Sequence, residues 1–309
     1  MGRGDPGKGS PARDLGAALD WDVDGRDWPN RGASRFVVAG GLRWHVQVSG
    51  RGPVALLLHG TGASTHSWRE LGPLLAKRFT VVAPDLPGHG FTERPAASGL
   101  SLPRIADSVR QLLAALDRRP VLGLGHSAGA AILARLCIDK ALDLRAFVSL
   151  NGAFLPFRGL PGAVFSPFAK LLAATPWVPQ LLAWRAADRA AVQRLIDSTG
   201  SNLDPAGVDG YARLVRDPSH IAGVLGMMAA WDLAALERDL ARLDVPVALL
   251  AGGRDRTVSP VEAQVVAEQL PRAEVRRMPG YGHLMHEEAP AEVAAAVFDF
   301  ARRHGVLRR

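Results

Sequence analysis

The feature that most constrains this sequence is the segment LGLGHSAGAA at 122–131, in which Ser127 stands between two glycines. The residues before it form a short apolar run typical of a buried strand, and those after it follow an alanine-rich helical pattern. A sharp turn from strand to helix has no room for side chains two residues before and after its centre, which explains Gly125 and Gly129. Together with His126 they would surround Ser127, and the segment therefore predicts a strand, a tight turn and a helix.

Strand and helix patterns alternate on both sides of this turn. The segment 54–60 is a fully apolar strand of the buried parallel kind, and 120–125 and 246–253 are further strands. Helical patterns such as 101–116 and 290–304 separate the strands. Strands separated by helices form βαβ units and a parallel sheet. We therefore expect an α/β fold, with a mostly parallel central sheet and helices on both faces. The other expected elements are a hairpin at Gly40-Gly41, helices at 66–78, 232–243 and 260–270, and strands at 79–85, 144–152 and 273–280.

The alternation stops between residues 153 and 230, where aromatic residues and prolines are frequent and strand patterns are weak. This stretch, 153–230, predicts a helical cap inserted into a core made of 31–152 and 231–309. Residues 1–30 are rich in glycine, proline and charge and offer little apolar surface, so we expect a flexible N-terminal tail there.

The composition narrows the classes of function. The formal net charge is +7 over 309 residues, but the basic residues are scattered and match no nucleic-acid-binding module, which argues against a nucleic-acid partner. A single cysteine, Cys137, rules out a disulfide framework within the chain and suits a reducing compartment, so we expect a cytoplasmic protein. Neither a signal-peptide pattern nor an apolar stretch of about 18 residues is found, so we expect no transmembrane segment.

A serine hydroxyl becomes a nucleophile when a base takes its proton and an acid orients that base. In an α/β sheet the acid and the base follow the serine in the chain, on loops after later strands. Asp255 and His283 each come directly after a predicted strand. The other position for the acid holds Asn151, which cannot ionise, and the rival base His286 is assigned to the surface or to a supporting role. The predicted catalytic triad is Ser127, Asp255 and His283.

Acyl transfer also needs two N–H groups that stabilise an oxyanion. One is expected from Ala128, directly after the nucleophile at the N-terminus of the next helix. The other is expected from Thr61 in the loop HGTGAS, where Gly60 and Gly62 allow a close approach. His59 could serve as a base, but we expect its ring nitrogens to brace this loop.

Asp85 and His89 in the segment PDLPGHG are interpreted as parts of the loop architecture. No histidine spacing such as H-E-x-x-H indicates a metal site, and no phosphate loop or dinucleotide fingerprint follows the first parallel strand. We therefore expect neither a metal nor a cofactor.

The predicted cap carries large apolar side chains that suit a pocket for a small apolar substrate or a large flat ligand. The alternative is that most of them pack the cap onto the sheet. The segment 168–187 could also make peripheral contact with a membrane surface, although Pro176 and Pro179 interrupt its pattern. The pocket candidates are Phe154, Phe157, Trp177, Trp184, Met227 and Met228, and the same stretch also carries Phe165 and Phe168.

The motifs HGTG, DLPGHG, GHSAG, GGRD and GYGHLMHEEAP together resemble those of the α/β-hydrolase superfamily, from about Ser34 to Arg303. Within it, the segments at 27–31 (DWPNR), 56–69 and 149–157 are similar to the magnesium-chelatase accessory hydrolases of bacteriochlorophyll biosynthesis. The resemblance implies an α/β-hydrolase fold and a role in photosynthesis beside the insertion of Mg²⁺ into protoporphyrin. A tetrapyrrole and magnesium-chelatase subunits are the partners that it implies.

Three functions stay open on the sequence. The first is a serine hydrolase acting on an ester-like bond, and the second is an accessory protein that binds a tetrapyrrole or the chelatase without turnover. The third is a C–C bond hydrolase or a haloperoxidase-like enzyme with the same triad. The only strong candidates in the cap to bind the carboxylate of a small acid are Arg158, Arg185 and Arg189, which disfavours this third function. A haloalkane dehalogenase needs an acid at position 127 and is excluded.

Overall fold

The loops that carry the predicted site follow the carboxyl ends of strands in the central sheet. The computed structural model describes residues 18–156, 175, 177–185 and 188–308. Their eight strands are β1 (Ser34–Ala39), β2 (Leu42–Ser49), β3 (Val54–Leu58), β4 (Thr80–Pro84), β5 (Leu122–His126), β6 (Ala146–Leu150), β7 (Val247–Gly252) and β8 (Ala273–Met278). The order across the sheet is β1-β2-β4-β3-β5-β6-β7-β8, with β2 antiparallel to both of its neighbours and all other neighbouring pairs parallel.

The described helices lie before, within and after the predicted cap. They are α1 (Leu71–Ala76), α2 (Leu102–Ala115), α3 (Ala128–Ile138), α4 (Val178–Arg185), α5 (Arg189–Ser198), α6 (Pro205–Val215), α7 (Pro218–Ala230), α8 (Ala234–Asp239), α9 (Glu262–Ala267), α10 (Met285–Glu288) and α11 (Pro290–Arg303). The helix expected at 66–78 is instead a 3-10 turn at Thr65–Trp68 followed by α1. Pro73 explains this break, because a residue without an N–H group is accommodated only in the first turn of a helix.

Alternate side chains of the central strands enter hydrophobic layers on opposite faces of the sheet. In β3, Leu56 and Leu58 are buried with residues of α2 and α3, whereas Ala55 and Leu57 are buried with residues of α1 and α11. This is the period of two expected of a strand that is covered on both faces. The predicted fold, a mostly parallel sheet with helices on both faces, is confirmed.

The described part of the predicted cap contains helices and no strand. Helix α7 contributes Met227 to the core that also contains α2 and α3, where this side chain is fully buried. Helix α4 packs on α7, because Val178 and Ala183 form one apolar cluster with Ile221 and Leu225.

Trp177 and Trp184 face solvent, which corrects their prediction as pocket residues. They are 63% and 59% exposed, and Leu181 between them is 42% exposed. Spacings of four and three residues place the three side chains along one side of α4. The apolar side chains that α4 buries against α7 lie elsewhere on the helix, so the tryptophans are left outside.

Residues 18–30 fold onto the core, so the prediction of a flexible tail was wrong for this stretch. Trp28 is buried beside Phe91, with the two ring centroids 4.9 Å apart, and its Nε1–H donates to Thr65 Oγ1 over 3.0 Å. The prediction follows from the high content of glycine, proline and charged residues. Such an average over the segment does not reflect the large apolar surface that a single tryptophan can bury. Residues 1–17 lie outside the described residues.

Within the described residues, no single helix has the length and apolar composition needed to cross a membrane. One pair, Pro218–Ala230 with Ala234–Arg242, meets that requirement only when its two parts are joined across a bend of 56°.

Candidate active site

Ser127 occupies a sharp turn between β5 and α3. Its backbone has φ 50° and ψ −118°, a region that residues with a side chain rarely adopt. A Cβ atom at Gly125 would lie 2.5 Å from the backbone nitrogen of Ala130, and one at Gly129 would lie 2.1 Å from the carbonyl oxygen of Leu58. Both positions therefore exclude a side chain, and the turn holds Ser127 half-buried at the end of β5.

His283 and Asp255 are hydrogen-bonded beyond the ends of the neighbouring strands β8 and β7. The His283 Nδ1–H donates to Asp255 Oδ2 over 2.8 Å, which leaves Nε2 able to accept a proton. Asp255 Oδ1 accepts the backbone N–H groups of Thr257 at 2.7 Å and Val258 at 2.9 Å. The carboxylate is thus held in place, and a carboxylate in this position orients an imidazole as a base.

Ser127 and His283 lie on adjoining segments but are not hydrogen-bonded. In the described part of the chain, Ser127 Oγ makes no hydrogen bond to His283 or to any other group. The two segments meet through His126, whose Nε2–H donates to the His283 carbonyl over 3.0 Å and whose ring centroid lies 4.7 Å from that of His283. Hydrogen bonds between nucleophile and base are often long in unliganded enzymes and shorten when substrate binds.

Residues 60–63 form a tight turn beside Ser127. The Ala63 N–H donates to the Gly60 carbonyl over 3.1 Å, and Gly62 has φ 82°, as the third residue of a type II turn requires. A Cβ atom at Gly60 would lie 3.0 Å from the Cβ atom of Ser127. The turn therefore approaches the nucleophile as closely as its glycine allows.

Two backbone N–H groups near Ser127 have no acceptor among the described residues. The Ala128 N–H is the first of α3 and has no partner within the helix, and the Thr61 N–H donates to no described group. His59 braces the turn that carries Thr61, because its Nδ1–H donates to the Gly60 carbonyl over 2.8 Å. Its Nε2 accepts the Leu86 N–H over 2.9 Å, so both ring nitrogens are engaged and His59 is not placed to act as a base.

Asn151 is excluded as the acid of the triad because it cannot ionise, but it links the loops of the acid and the base. Its Nδ2–H donates to the carbonyls of Gly282, at 2.8 Å, and His283, at 3.0 Å. Its Oδ1 accepts the Gly252 N–H over 2.8 Å, at the end of β7. A neutral amide can donate and accept at once, which a carboxylate in this position could not do.

Eight of the nine histidines are buried, and burial lowers the pKa of most of them. It lowers the pKa of His220 to about 4 and that of His286 to about 3. Burial and the neighbouring imidazoles hold the pKa of His126 well below its usual range. Despite this density of imidazoles, the described residues contain no group of three or more potential metal ligands that could hold an ion.

His286 is fully buried, so the alternative that placed it on the surface was wrong. Its Nε2–H donates to Ser67 Oγ over 2.8 Å, and its ring centroid lies 4.4 Å from that of His126. The chain after His283 turns into the short helix α10, which directs this side chain inward. A spacing of three residues from the expected base could not reveal that direction.

Asp85 is a buried loop residue. Its carboxylate accepts the Thr65 N–H at 2.6 Å, the Phe91 N–H at 2.9 Å and the His45 Nδ1–H at 2.7 Å. Burial alone raises the pKa of this carboxyl, but His45 and the other donors outweigh it and hold the pKa below its usual value. His89 is buried in the same loop, which makes both residues part of the loop framework.

The described pocket candidates other than the two tryptophans lie at the cap–core boundary. Phe154 and Met227 are 1% and 0% exposed and belong to the core, whereas Met228 is half-buried. Phe154 and Met227 thus pack the cap onto the sheet. Phe157, Phe165 and Phe168 lie outside the described residues.

A family model described as the alpha/beta hydrolase fold matches residues 53–290, and the chain belongs to this family. It is 39% identical over 276 residues to the magnesium-chelatase 30 kDa subunit of Rhodobacter capsulatus, covering 89% of this chain and 96% of that protein. It is 26% identical to a fluoroacetate dehalogenase of a Burkholderia species, covering 86% of this chain and 92% of that one. The solved structure of an alpha/beta hydrolase fold protein from Burkholderia ambifaria superposes with a TM-score of 0.74 and 27% identity, covering 86% and 97%.

Proposed function

We propose that this protein is a serine hydrolase that cleaves an ester-like bond and serves as an accessory factor in magnesium-porphyrin synthesis for bacteriochlorophyll. The hydrolase part is carried by the 2.8 Å hydrogen bond between Asp255 and His283, on loops next to the strained turn of Ser127. The similarity to a magnesium-chelatase subunit supports the pathway part, with a tetrapyrrole as substrate or magnesium-chelatase subunits as partners.

In the proposed reaction, Ser127 Oγ attacks the carbonyl carbon while its proton passes to His283 Nε2. The N–H groups of Thr61 and Ala128 stabilise the negative charge that develops on the carbonyl oxygen. His283 gives the proton to the departing alcohol and then takes one from a water molecule, which adds to the acyl carbon. As the bond to Ser127 Oγ breaks, His283 returns this proton to Ser127 and the acid leaves. Asp255 keeps its hydrogen bond to His283 throughout and stabilises the imidazolium.

Labelling with a fluorophosphonate probe tests the hydrolase part, because the probe needs an activated serine and no knowledge of the substrate. Intact-mass spectrometry of the purified full chain is expected to show a single adduct, which Ser127→Ala abolishes. A folded wild-type protein that takes up no probe would contradict the proposal. An adduct that persists in Ser127→Ala would place the reactive group elsewhere.

A second function, binding of a tetrapyrrole or the chelatase without turnover, is favoured by one observation. Ser127 Oγ makes no hydrogen bond to His283, so the nucleophile is not activated in the geometry described. Titration with protoporphyrin, followed by its fluorescence, separates the two functions when it is combined with the probe. Binding without labelling supports the accessory protein, and labelling supports the hydrolase.

The other activities have less support. Dehalogenation is not proposed despite the dehalogenase relative, because this chain has a serine rather than a carboxylate at position 127. A small acid substrate would need an arginine to bind its carboxylate, and Arg189, one of the three candidates, is already paired with Asp209 over 2.6 Å. Arg158 and the side chain of Arg185 lie outside the described residues.

A further inference from the structure

The cap helix α7 rests on two loops of the core through one of its faces. His220, Gly223 and Met227 are three and four residues apart and share that face. A Cβ atom at Gly223 would lie 1.9 Å from the carbonyl oxygen of Gly88, so the helix backbone touches the loop of Asp85. Four residues further on, Met227 Sδ accepts the Thr61 hydroxyl over 3.6 Å.

His220 joins the two loops to the cap with its two ring nitrogens. Its Nε2–H donates to the Gly62 carbonyl over 3.3 Å, and its Nδ1 accepts the Gly90 N–H over 3.1 Å. The ring is 2% exposed and packs edge-on against His89, with ring centroids 5.3 Å apart. A neutral imidazole with its proton on Nε2 is the form that satisfies both backbone groups.

The turn at 60–63 is therefore held by two histidines from different parts of the fold. His59, in the core, binds the Gly60 carbonyl, and His220, in the cap, binds the Gly62 carbonyl. Because a trans peptide is planar, the Thr61 N–H points opposite to the Gly60 carbonyl. The orientation of this turn thus determines where the Thr61 N–H is directed.

We propose that His220 is a positioning residue that couples the docked cap helix to the oxyanion turn, so that the Thr61 N–H is aimed at the reacting carbonyl only while α7 is docked. This inference rests on the proposed hydrolase function. It makes the cap a part of the catalytic geometry rather than only a cover for the substrate. His220 acts through the turn and touches no reacting atom.

The test compares His220→Phe, which keeps a ring and loses both hydrogen bonds, with His220→Gln, whose amide can donate and accept. The rate of fluorophosphonate labelling at saturating probe is expected to fall about tenfold to a hundredfold in His220→Phe, part of the 10²–10³ that a lost oxyanion donor costs. The probe concentration for half-maximal rate is expected to stay near the wild-type value. His220→Gln should recover most of the rate, and His304→Gln, a half-buried histidine outside the site, should keep all of it.

Hydrogen exchange provides a readout that does not need activity. Peptides covering residues 57–66 should exchange faster in His220→Phe than in the wild type and near the wild-type rate in His220→Gln, including in a Ser127→Ala background. If the wild type takes up no probe, the hydrolase proposal fails while the exchange still decides the role of His220. Unchanged exchange, or a folded His220→Phe that labels at the wild-type rate, would overturn the inference. His220→Ala replaces the phenylalanine variant if that one does not fold.

Discussion

The phenol of Tyr211, on cap helix α6, donates a 2.8 Å hydrogen bond to the buried carboxylate of Glu287, four residues after the proposed base His283. The same carboxylate accepts the Ser67 hydroxyl at 2.6 Å and pairs with the guanidinium of Arg69. Burial raises the pKa of Glu287, although Arg69 and the hydroxyl donors oppose that rise. The Glu287 carboxylate thus links the segment that carries the base to the cap, through Tyr211, and to the core, through Ser67 and Arg69.

Removing these partners should destabilise the protein to different degrees. Tyr211→Phe is expected to lower the free energy of unfolding by about 1 kcal/mol, since one hydrogen bond is lost. Glu287→Ala should lower it by about 3–5 kcal/mol, because the buried Arg69 then loses its buried partner and keeps only the exposed Asp204. Urea unfolding at neutral pH measures both changes. The other tyrosine, Tyr281, bonds Glu292 at the surface, and Tyr281→Phe is the control expected to change little; equal losses in both tyrosine variants would contradict the prediction.

Asp255→Asn should impair labelling of Ser127 far more than stability. An asparagine can keep the two backbone N–H groups on its oxygen but turns an amide towards His283 Nδ1, which favours the wrong tautomer. We expect the labelling rate to fall by about 10³–10⁴. The exposed Asp244→Asn serves as the control. A wild-type rate in folded Asp255→Asn would remove this residue from the proposed triad.

Gly129→Ala should prevent normal folding. Its Cβ atom would lie 2.1 Å from the carbonyl oxygen of Leu58, a backbone atom of a central strand that cannot move aside. We expect a loss of about 3 kcal/mol or more in the free energy of unfolding, or no soluble protein. Gly280→Ala, where no atom lies within 4 Å of the added carbon, should be nearly neutral. Comparable melting temperatures for the two variants would contradict the close approach described.

The buried histidines should make the protein less stable in acid. In the folded state burial lowers their pKa values from the ordinary 6.5, and the pKa falls to about 4 for His220 and to about 3 for His286. As the pH falls from 6.5, the unfolded chain gains protons that the folded chain does not, so this stability is complete above pH 6.5 and is lost towards pH 4. The raised pKa of Glu287 acts in the opposite direction, but as one group. The other buried histidines with lowered pKa are His59, His66, His89 and His126.

The measurement is the free energy of unfolding in urea between pH 7.5 and 5. Each histidine of this kind contributes a slope of about 1.4 kcal/mol per pH unit below its ordinary pKa. His220→Gln should therefore flatten the pH dependence by about one proton. A stability that does not change across this range would show that these imidazoles take up protons as readily in the folded chain as in the unfolded chain, which would contradict the prediction.

Local patterns were sufficient for the sheet and for the turn at Ser127. A buried parallel strand has an apolar run, and a turn this tight excludes side chains at Gly125 and Gly129. Both features can therefore be predicted from residues that are close together in the sequence. Asp255 and His283 could be proposed because parallel strands end at one edge of the sheet, which brings the loops after them together. Their hydrogen bond in the structure agrees with that expectation.

Residues that act across the chain gave no local signal. Asn151 is hydrogen-bonded to residues more than 100 positions away in the chain. His220 is hydrogen-bonded to Gly62 from a helix that carries no recognisable motif. Trp28 was hidden in a stretch rich in glycine and charge, and Trp184 was expected in a pocket but is exposed.

The sequence by itself determined the order of strands and helices along the chain, the α/β class and the residues proposed as nucleophile, acid and base. Periodicity and glycine spacing act within a few residues, and they are sufficient for those conclusions. Only the tertiary structure decided which histidines are buried, which face of the cap helix touches the oxyanion turn and which carboxylate fastens the base loop. Those contacts depend on how distant elements pack, because burial and hydrogen bonding between them are settled by three-dimensional proximity and not by position in the chain.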